Sequence, residues 1–301
     1  MLKEWQRLGR QIYDLSNWRE KRRYWTFCMR ALRHQRRMQA LYDWFLQDGG
    51  RAEILADNPF PIEQVTRGFF YAGSSFEERV ALVKNHFILL QRLFRPEYAV
   101  RLGKRNGEYI IWESPYEDIS WRAMLNFEDG QRKEGLMTLK MTLEREDLYQ
   151  MMFWLGFDKQ GEASLYIGAM QGPNMENARD VVKEITKRSH RYRTKNLILY
   201  MTQAAARAMG MQHIYAVSNQ GYYANNHLRL DRKLKTDFGD FWEEAGGHVT
   251  EDARFYEIPL TETRKTEEEI PTRKRAVYRK RFAFQDEVDR QIQEKISAIL
   301  K

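Results

Sequence analysis

The sequence predicts an α+β protein, with a central mixed, largely antiparallel sheet flanked by helices and a helical region ahead of it. Three observations carry this expectation. Residues 1–48 repeat aromatic and aliphatic side chains at helical spacing, as in Trp5, Leu8, Ile12 and Leu15. Between about 100 and 170, consecutive apolar or alternating segments are separated by turn residues, the pattern of successive strands. Beyond them a helix, a second helix and short β-rich runs follow, which describes a sheet with helices on its faces.

Taken in order, the stretch 18–45 interleaves Arg22, Arg23, Arg30, Arg33, Arg36 and Arg37 with Trp25, Phe27, Leu32, Met38, Leu41, Trp44 and Phe45, and Gly49-Gly50 ends it. Pro59 and Pro61 mark a loop. Ser75 and Glu78 have the spacing of a capping box, opening a helix over 76–94 that Pro96 closes. Residues 101–107 read as a strand end and turn, with Asn106-Gly107 as a hairpin signal before a strand at 108–113. Strands follow at 121–130, 134–144, 148–158 and 163–170, the last two parted by Gln160-Gly161. A basic helix (177–188), a charged connector (190–196), an apolar helix (196–210), a β-rich run (213–219) and the closing segment 242–247 come next. A last strand at 255–260, a charged solvated stretch (261–281) and an amphipathic helix (286–300) end the chain. The expected organisation is a helical basic-aromatic region over 1–98, an α/β unit over 99–260 and a charged extension over 261–301.

At 301 residues, 43% hydrophobic and 31% charged, the chain has the composition of a folded protein. The single cysteine, Cys28, excludes an internal disulfide and any Cys-rich zinc site, and fits a reducing compartment. Neither a secretory pattern in the first ten residues nor an apolar run of about 18 residues is present. A cytoplasmic protein, peripheral to the inner membrane, is therefore expected. The net charge of +8 is uneven: residues 1–50 carry 11 Lys/Arg against 5 Asp/Glu, and residues 179–195 carry 7 against 2. Two basic patches suggest anionic partners. For the first, Arg beside Trp and Phe suits an anionic membrane surface, against a helical layer with its arginines in solvent. Nucleic acid lacks a supporting recognition motif.

The segment 164–247 carries the chemistry. A strand, a basic turn, a helix and a second strand can hold an anion at the helix start, where backbone N–H groups are free. Arg191, Arg193 and Lys195 lie on alternate residues of that turn, next to Asn196, and Gln171-Gly172 end the preceding strand; these are the candidate cofactor-binding residues. The alternative is a solvated connector. Arg179, Lys183 and Lys187 share one helical face. Candidates for proton transfer are Glu243, His227 and Tyr222, with Glu244, Asp237 and His213 behind them. No Gly-x-Ser-x-Gly elbow, P-loop, His-Glu-x-x-His or Cys-x-x-Cys occurs, and no metal is expected.

The combination YIGAMQGP, RYRTKNLIL, AAARAMG, IYAVSN and DFxxFWEEAGG, in that order within residues 65–260, resembles the VirK/YbjX family, as does Asn85-His86-Phe87. The resemblance implies a role near the bacterial envelope, in its maintenance, in virulence or in resistance to cationic peptides. Over the same core, the order strand, basic turn, helix, strand and aromatic-x-x-x-Gly (Trp242 to Gly246) looks like GNAT-type N-acyltransferases. That likeness implies an acyl donor such as acyl-coenzyme A, bound by the turn before the helix. Residues 191–196 contain no glycine where that family has several, so Arg and Lys side chains would do the binding. The function expected is acyl transfer to an envelope-related amine or lipid; the alternative is a non-enzymatic factor that docks anionic lipid, a protein or RNA.

Overall fold

The helical periodicity of the first hundred residues resolves into α1 (Leu2–Ile12), α2 (Trp18–Arg33), α3 (Gln35–Leu46), α4 (Gly49–Asp57), α5 (Phe60–Gln64), α6 (Phe76–Leu93) and α7 (Pro96–Gly103) in a computed structural model that describes residues 2–225 and 237–301. Each longer helix turns its apolar stripe inward: Trp5 and Leu8 from α1, Phe27 and Ala31 from α2, Met38, Leu41 and Phe45 from α3 are all buried. The capping box is formed, with Ser75 Oγ accepting from the Glu78 amide at 3.2 Å and Glu78 accepting from the Ser75 amide at 2.7 Å.

Two local expectations are overturned. The helical stretch ahead of Gly49-Gly50 does end, at Leu46, and the glycines open α4, because Asp48 caps it by accepting from the Arg51 amide at 2.9 Å. The loop expected at Pro59 and Pro61 is α5, and Pro96 starts α7 rather than clearing the way for a strand. Proline in a first helical turn gives up no hydrogen bond, since those N–H groups have no partner in the helix. Residues 101–107 are thus a helix end and a turn. Gly107 is needed there, because a Cβ would collide with the Arg101 carbonyl oxygen.

The strands β1 (Tyr109–Glu113), β2 (Trp121–Asn126), β3 (Met137–Leu143), β4 (Glu146–Phe157), β5 (Ala163–Gln171), β6 (His213–Val217), β7 (His248–Val249) and β8 (Phe255–Ile258) form one sheet in the order β1-β2-β3-β4-β5-β6-β8-β7. Every neighbouring pair is antiparallel except β5 and β6. The mixed, largely antiparallel sheet is therefore present, and the 163–170 strand lies inside it rather than at an edge.

Residues 150 to 156 of β4 are all buried, so both of its faces are covered. From the side of the N-terminal helices comes α6, whose His86 Nδ1 accepts from the Leu155 amide at 3.1 Å. Complete burial pushes His86 down to about 3, so it remains a neutral acceptor. The other cover is α9 (Thr194–Ala208), which crosses β3 and β4, with α11 (Arg275–Ser297) packed on α9 and β1. Twelve of the fifteen residues of α9 are buried, which is why its sequence is apolar on nearly every side. α8 (Ala178–Arg188) buries only Ile185 and leaves Arg179, Lys183 and Lys187 exposed.

The last helix starts at Arg275 rather than at 286. Its early turns are fastened by Arg281, which lies 4.4 Å over the Tyr278 ring and donates to the Arg191 carbonyl at 3.0 Å. The remaining helix, α10 (Phe238–Glu244), follows the undescribed segment, and Trp242 Nε1 ties it to the Val217 carbonyl at 2.9 Å. No helix among the described residues is long and apolar enough to cross a membrane. One buried core runs from Trp5 in α1 to Ile299 beyond α11.

Candidate functional site

The parallel pair β5–β6 comes apart at one end. Its register holds from Ser164 opposite His213 to Ile167 opposite Ala216. Beyond that point β5 stays with β4, reaching Gln171 opposite Gln150, while β6 ends at Val217. The parting is encoded at Gly168, the extra residue of a bulge between the pairs Phe153–Ile167 and Met152–Ala169. A Cβ at Gly168 would fall on the Glu134 carbonyl oxygen, so glycine alone lets the 127–136 connection press against the strand.

A cleft of about 510 Å³ opens at this end, lined by Glu134, Met152, Gln171, Gly172, Tyr222 and Phe238 among others. A second hollow of about 320 Å³ shares Gln171, Gly172, Gln131 and Asn174. Gln171 and Gln131 are hydrogen-bonded to each other.

Glu134 is the chemically distinctive group. It is only 6% exposed; Oε1 accepts from the Tyr222 hydroxyl at 3.3 Å, and Oε2 is buried with no hydrogen-bond partner. Burial pushes its carboxyl up to about 7, against the opposing pull of the Lys133 charge and the Tyr222 and Tyr223 hydroxyls. Tyr222 in turn is raised, first by burial and then by the Glu134 charge, so it stays a phenol that donates. A carboxylate poised near neutrality in a cleft is a competent proton acceptor.

The N-terminal helices hold this group in place. Gln64 donates to the Arg132 and Gly135 carbonyls at 2.6 and 3.0 Å, and the Phe70 amide donates to the Lys133 carbonyl at 2.8 Å. Arg132 pairs at 3.2 Å with Glu63, which is fully buried and also accepts from Tyr13 at 2.7 Å. Ala72 N–H donates to the Gly221 carbonyl at 2.8 Å, fixing the approach of Tyr222.

The basic turn lies elsewhere. His190 and Arg191 adopt left-handed backbone, φ +52° and +64°, and their carbonyls both accept from Arg281. α9 starts two residues earlier than expected, which makes Arg193 its N-cap residue and puts Lys195 in its first turn. Arg193 and Lys195 converge, but on Glu244, at 3.5 and 3.4 Å. Asn196 Oδ1 is buried without a partner.

None of Arg191, Arg193, Lys195 and Asn196 lines the Glu134 cleft, whereas Gln171, Gly172 and Tyr222 share it. Glu243 is exposed and accepts from Tyr256 at 3.1 Å. Asp237 is the N-cap of α10, and His213 sits at the opposite end of β6. His227 lies outside the described residues. Glu134 is not among the residues that the sequence singles out. Its local signal is faint: an acidic residue directly before a glycine at the entrance of an apolar strand.

Among curated proteins, an uncharacterized protein of Haemophilus influenzae is 26% identical over 215 residues, covering 70% of this chain and 69% of its own. The uncharacterized protein YbjX of Escherichia coli K12 is 26% identical over 253 residues, 79% of this chain and 73% of its own. A Mannheimia haemolytica protein named membrane protein LapB is 24% identical over 214 residues, 69% of this chain and 85% of its own. No solved structure matches significantly. The model of the family described as protein of unknown function DUF535 matches residues 16–294, and the chain belongs to that family.

Proposed function

We propose that this DUF535 protein is an acyltransferase-like enzyme that modifies an envelope-related amine or lipid, with Glu134 as the proton-transfer group. The observation that carries the reading is the buried Glu134 carboxylate, poised near neutrality where β5 parts from β6. Support also comes from the sequence of strand, helix, strand and helix in β5, α9, β6 and α10, on which the GNAT likeness rests. The family resemblance supports the envelope connection.

In this reading an amine nitrogen attacks the carbonyl carbon of an acyl thioester lying in the cleft, and Glu134 takes the amine proton. The C–S bond then breaks, and Glu134 returns the proton to the leaving thiolate, so amide and thiol are formed and the carboxylate is regenerated. Tyr222, held as a phenol, orients Glu134 rather than supplying the proton. Gln171 and Gly172 offer an amide side chain and an accessible backbone to the donor. The test is thermal unfolding with coenzyme A, acetyl- and long-chain acyl-coenzyme A and inorganic phosphate. A donor at about 100 times its Kd is expected to add about 2.7 kcal/mol. Glu134→Gln is expected to keep that shift while lowering turnover by about 10²–10⁴-fold. Absence of a shift with every thioester would refute the reading.

A second reading, docking on anionic lipid, is supported by α2. Trp18, Arg22, Trp25, Met29 and Arg33 recur on one face, and Trp18, Trp25 and Met29 are 67%, 57% and 65% exposed. Tyr24, Phe27, Cys28 and Ala31 supply the buried face, so the core does not consume these aromatics. Salt-sensitive sedimentation with phosphatidylglycerol vesicles is expected, and equal binding to neutral vesicles would refute it.

A further inference from the structure

At the other end of the β5–β6 pair, a second cluster stands apart from the Glu134 cleft. Asp158 and Glu162 flank the turn between β4 and β5, and His213 opens β6 opposite Ser164. One ligand atom from each of Asp158, Glu162 and His213 lies within 4.8 Å of the other two. His213 Nε2 is 3.0 Å from Glu162 Oε2 and 3.7 Å from Asp158 Oδ2. Ligands about 2.0 Å from a tetrahedral ion stand about 3.3 Å apart, so these separations are those of atoms ready to share one.

Two further observations point to a ligand. The Asp158 side chain is only 4% exposed, and its Oδ2 has no hydrogen-bond partner although it is aimed at His213. Its other oxygen is fully used, accepting from the Gln160 and Glu162 amides at 2.9 and 2.8 Å, which fixes the carboxylate plane. A buried carboxylate oxygen left bare is costly, and a cation removes the cost. His213 Nδ1, meanwhile, is 2.7 Å from Glu257 Oε1 on β8. A carboxylate on the far nitrogen of a metal-ligating histidine fixes its tautomer and raises its basicity. With Glu257 included, three carboxylates gather around the His213 imidazole, and the other Glu257 oxygen lies 3.6 Å from His248 Nε2.

We propose that Asp158 Oδ2, Glu162 Oε2 and His213 Nε2 bind one divalent first-row transition ion of the Zn²⁺ or Mn²⁺ type, with Glu257 as the positioning residue for His213. The imidazole selects this class over Mg²⁺ and Ca²⁺, which prefer oxygen alone. Asp158 and Glu257 also line a cleft of about 500 Å³ walled by Tyr166, Tyr215 and Phe255, which Glu162 and His213 do not line. The ion would join the β4–β5 turn to β6. This site is independent of the acyl-transfer reading.

The test is calorimetric titration and thermal unfolding of the full chain, stripped with chelator, against ZnCl₂, MnCl₂, MgCl₂ and CaCl₂. One equivalent of Zn²⁺ or Mn²⁺ is expected to bind and raise Tm, with little response to Mg²⁺ or Ca²⁺. Asp158→Asn is expected to abolish binding while leaving both amide hydrogen bonds in place, and Glu257→Gln to weaken it by about 10–100-fold. Glu162→Gln, on the solvent side of the turn, is a second ligand change that leaves the core alone and is expected to weaken binding likewise. No binding of Zn²⁺ or Mn²⁺, an equal response to Mg²⁺ or Ca²⁺, or binding that survives Asp158→Asn and Glu162→Gln would overturn the proposal.

Discussion

The two ends of the β5–β6 pair treat carboxylates in opposite ways. Where the strands part, Glu134 is buried beside the Tyr222 and Tyr223 hydroxyls with, among the described residues, no ion pair, and burial drives its carboxyl up to about 7. Where the strands are in register, Asp158, Glu162 and Glu257 gather around His213, whose imidazole is raised above its ordinary value by the Glu257 hydrogen bond and then by Glu162. One strand pair thus offers a solitary carboxylate suited to moving a proton and a shared set suited to holding a cation. The difference follows from what the neighbouring connections bring. A glycine bulge admits the 127–136 backbone at one end, and a tight acidic turn faces a histidine strand at the other.

The largest expected effect breaks the parting end mechanically. Gly168→Ala drives a methyl group into the Glu134 carbonyl and is expected to cost about 3 kcal/mol in urea unfolding, with loss of the cleft. A cost near zero would mean that the bulge does not hold Glu134. The second effect separates the ends by their carboxylates. Without metal, Asp158→Asn is expected to change stability by less than about 1 kcal/mol, because the amide keeps both turn hydrogen bonds. With saturating Zn²⁺ the difference from the natural chain should widen to the full stabilisation by the ion.

A third test uses pH. Glu134 is raised above its unfolded value of 4.5, so its contribution to stability is full below pH 4.5 and is lost as the pH rises through 7. Between those limits the natural chain should lose about 1.4 kcal/mol per pH unit relative to Glu134→Gln, read from urea midpoints. The smallest effect concerns the surface. Arg22→Gln and Arg33→Gln are each expected to weaken binding to anionic vesicles by about 1 kcal/mol, without touching either end of the strand pair.

Much of the scaffold was legible because its signals are local. Ser75 and Glu78 announce their own cap, Gln160-Gly161 its turn, and the alternation through Met137–Leu143 its strand. The loop expected at Pro59 and Pro61 and the strand end expected at 101 are helices because Pro61 and Pro96 each occupy a first helical turn, where proline starts a helix as readily as it ends one. The sites were harder, since each depends on residues far apart in sequence. Glu134 owes its burial to Phe70, Tyr222 and the glycine at 168, and nothing between Arg132 and Leu136 reveals this. Gln171 and Gly172 are legible as candidates because a strand-end glycine is conspicuous, and Tyr222 because its hydroxyl can move a proton; the fold brings the three to one cleft. Arg193 and Lys195 are conspicuous too, yet they lie against Glu244, a pairing that separations of 51 and 49 residues hide.

The central claim is that the parting of β5 from β6 creates a proton-transfer carboxylate. Carboxyl ¹³C titration of glutamate-labelled protein tests it most directly, with Glu134→Gln identifying the signal. A midpoint at about 7 is expected for Glu134. A midpoint at or below the ordinary 4.5 would contradict the account.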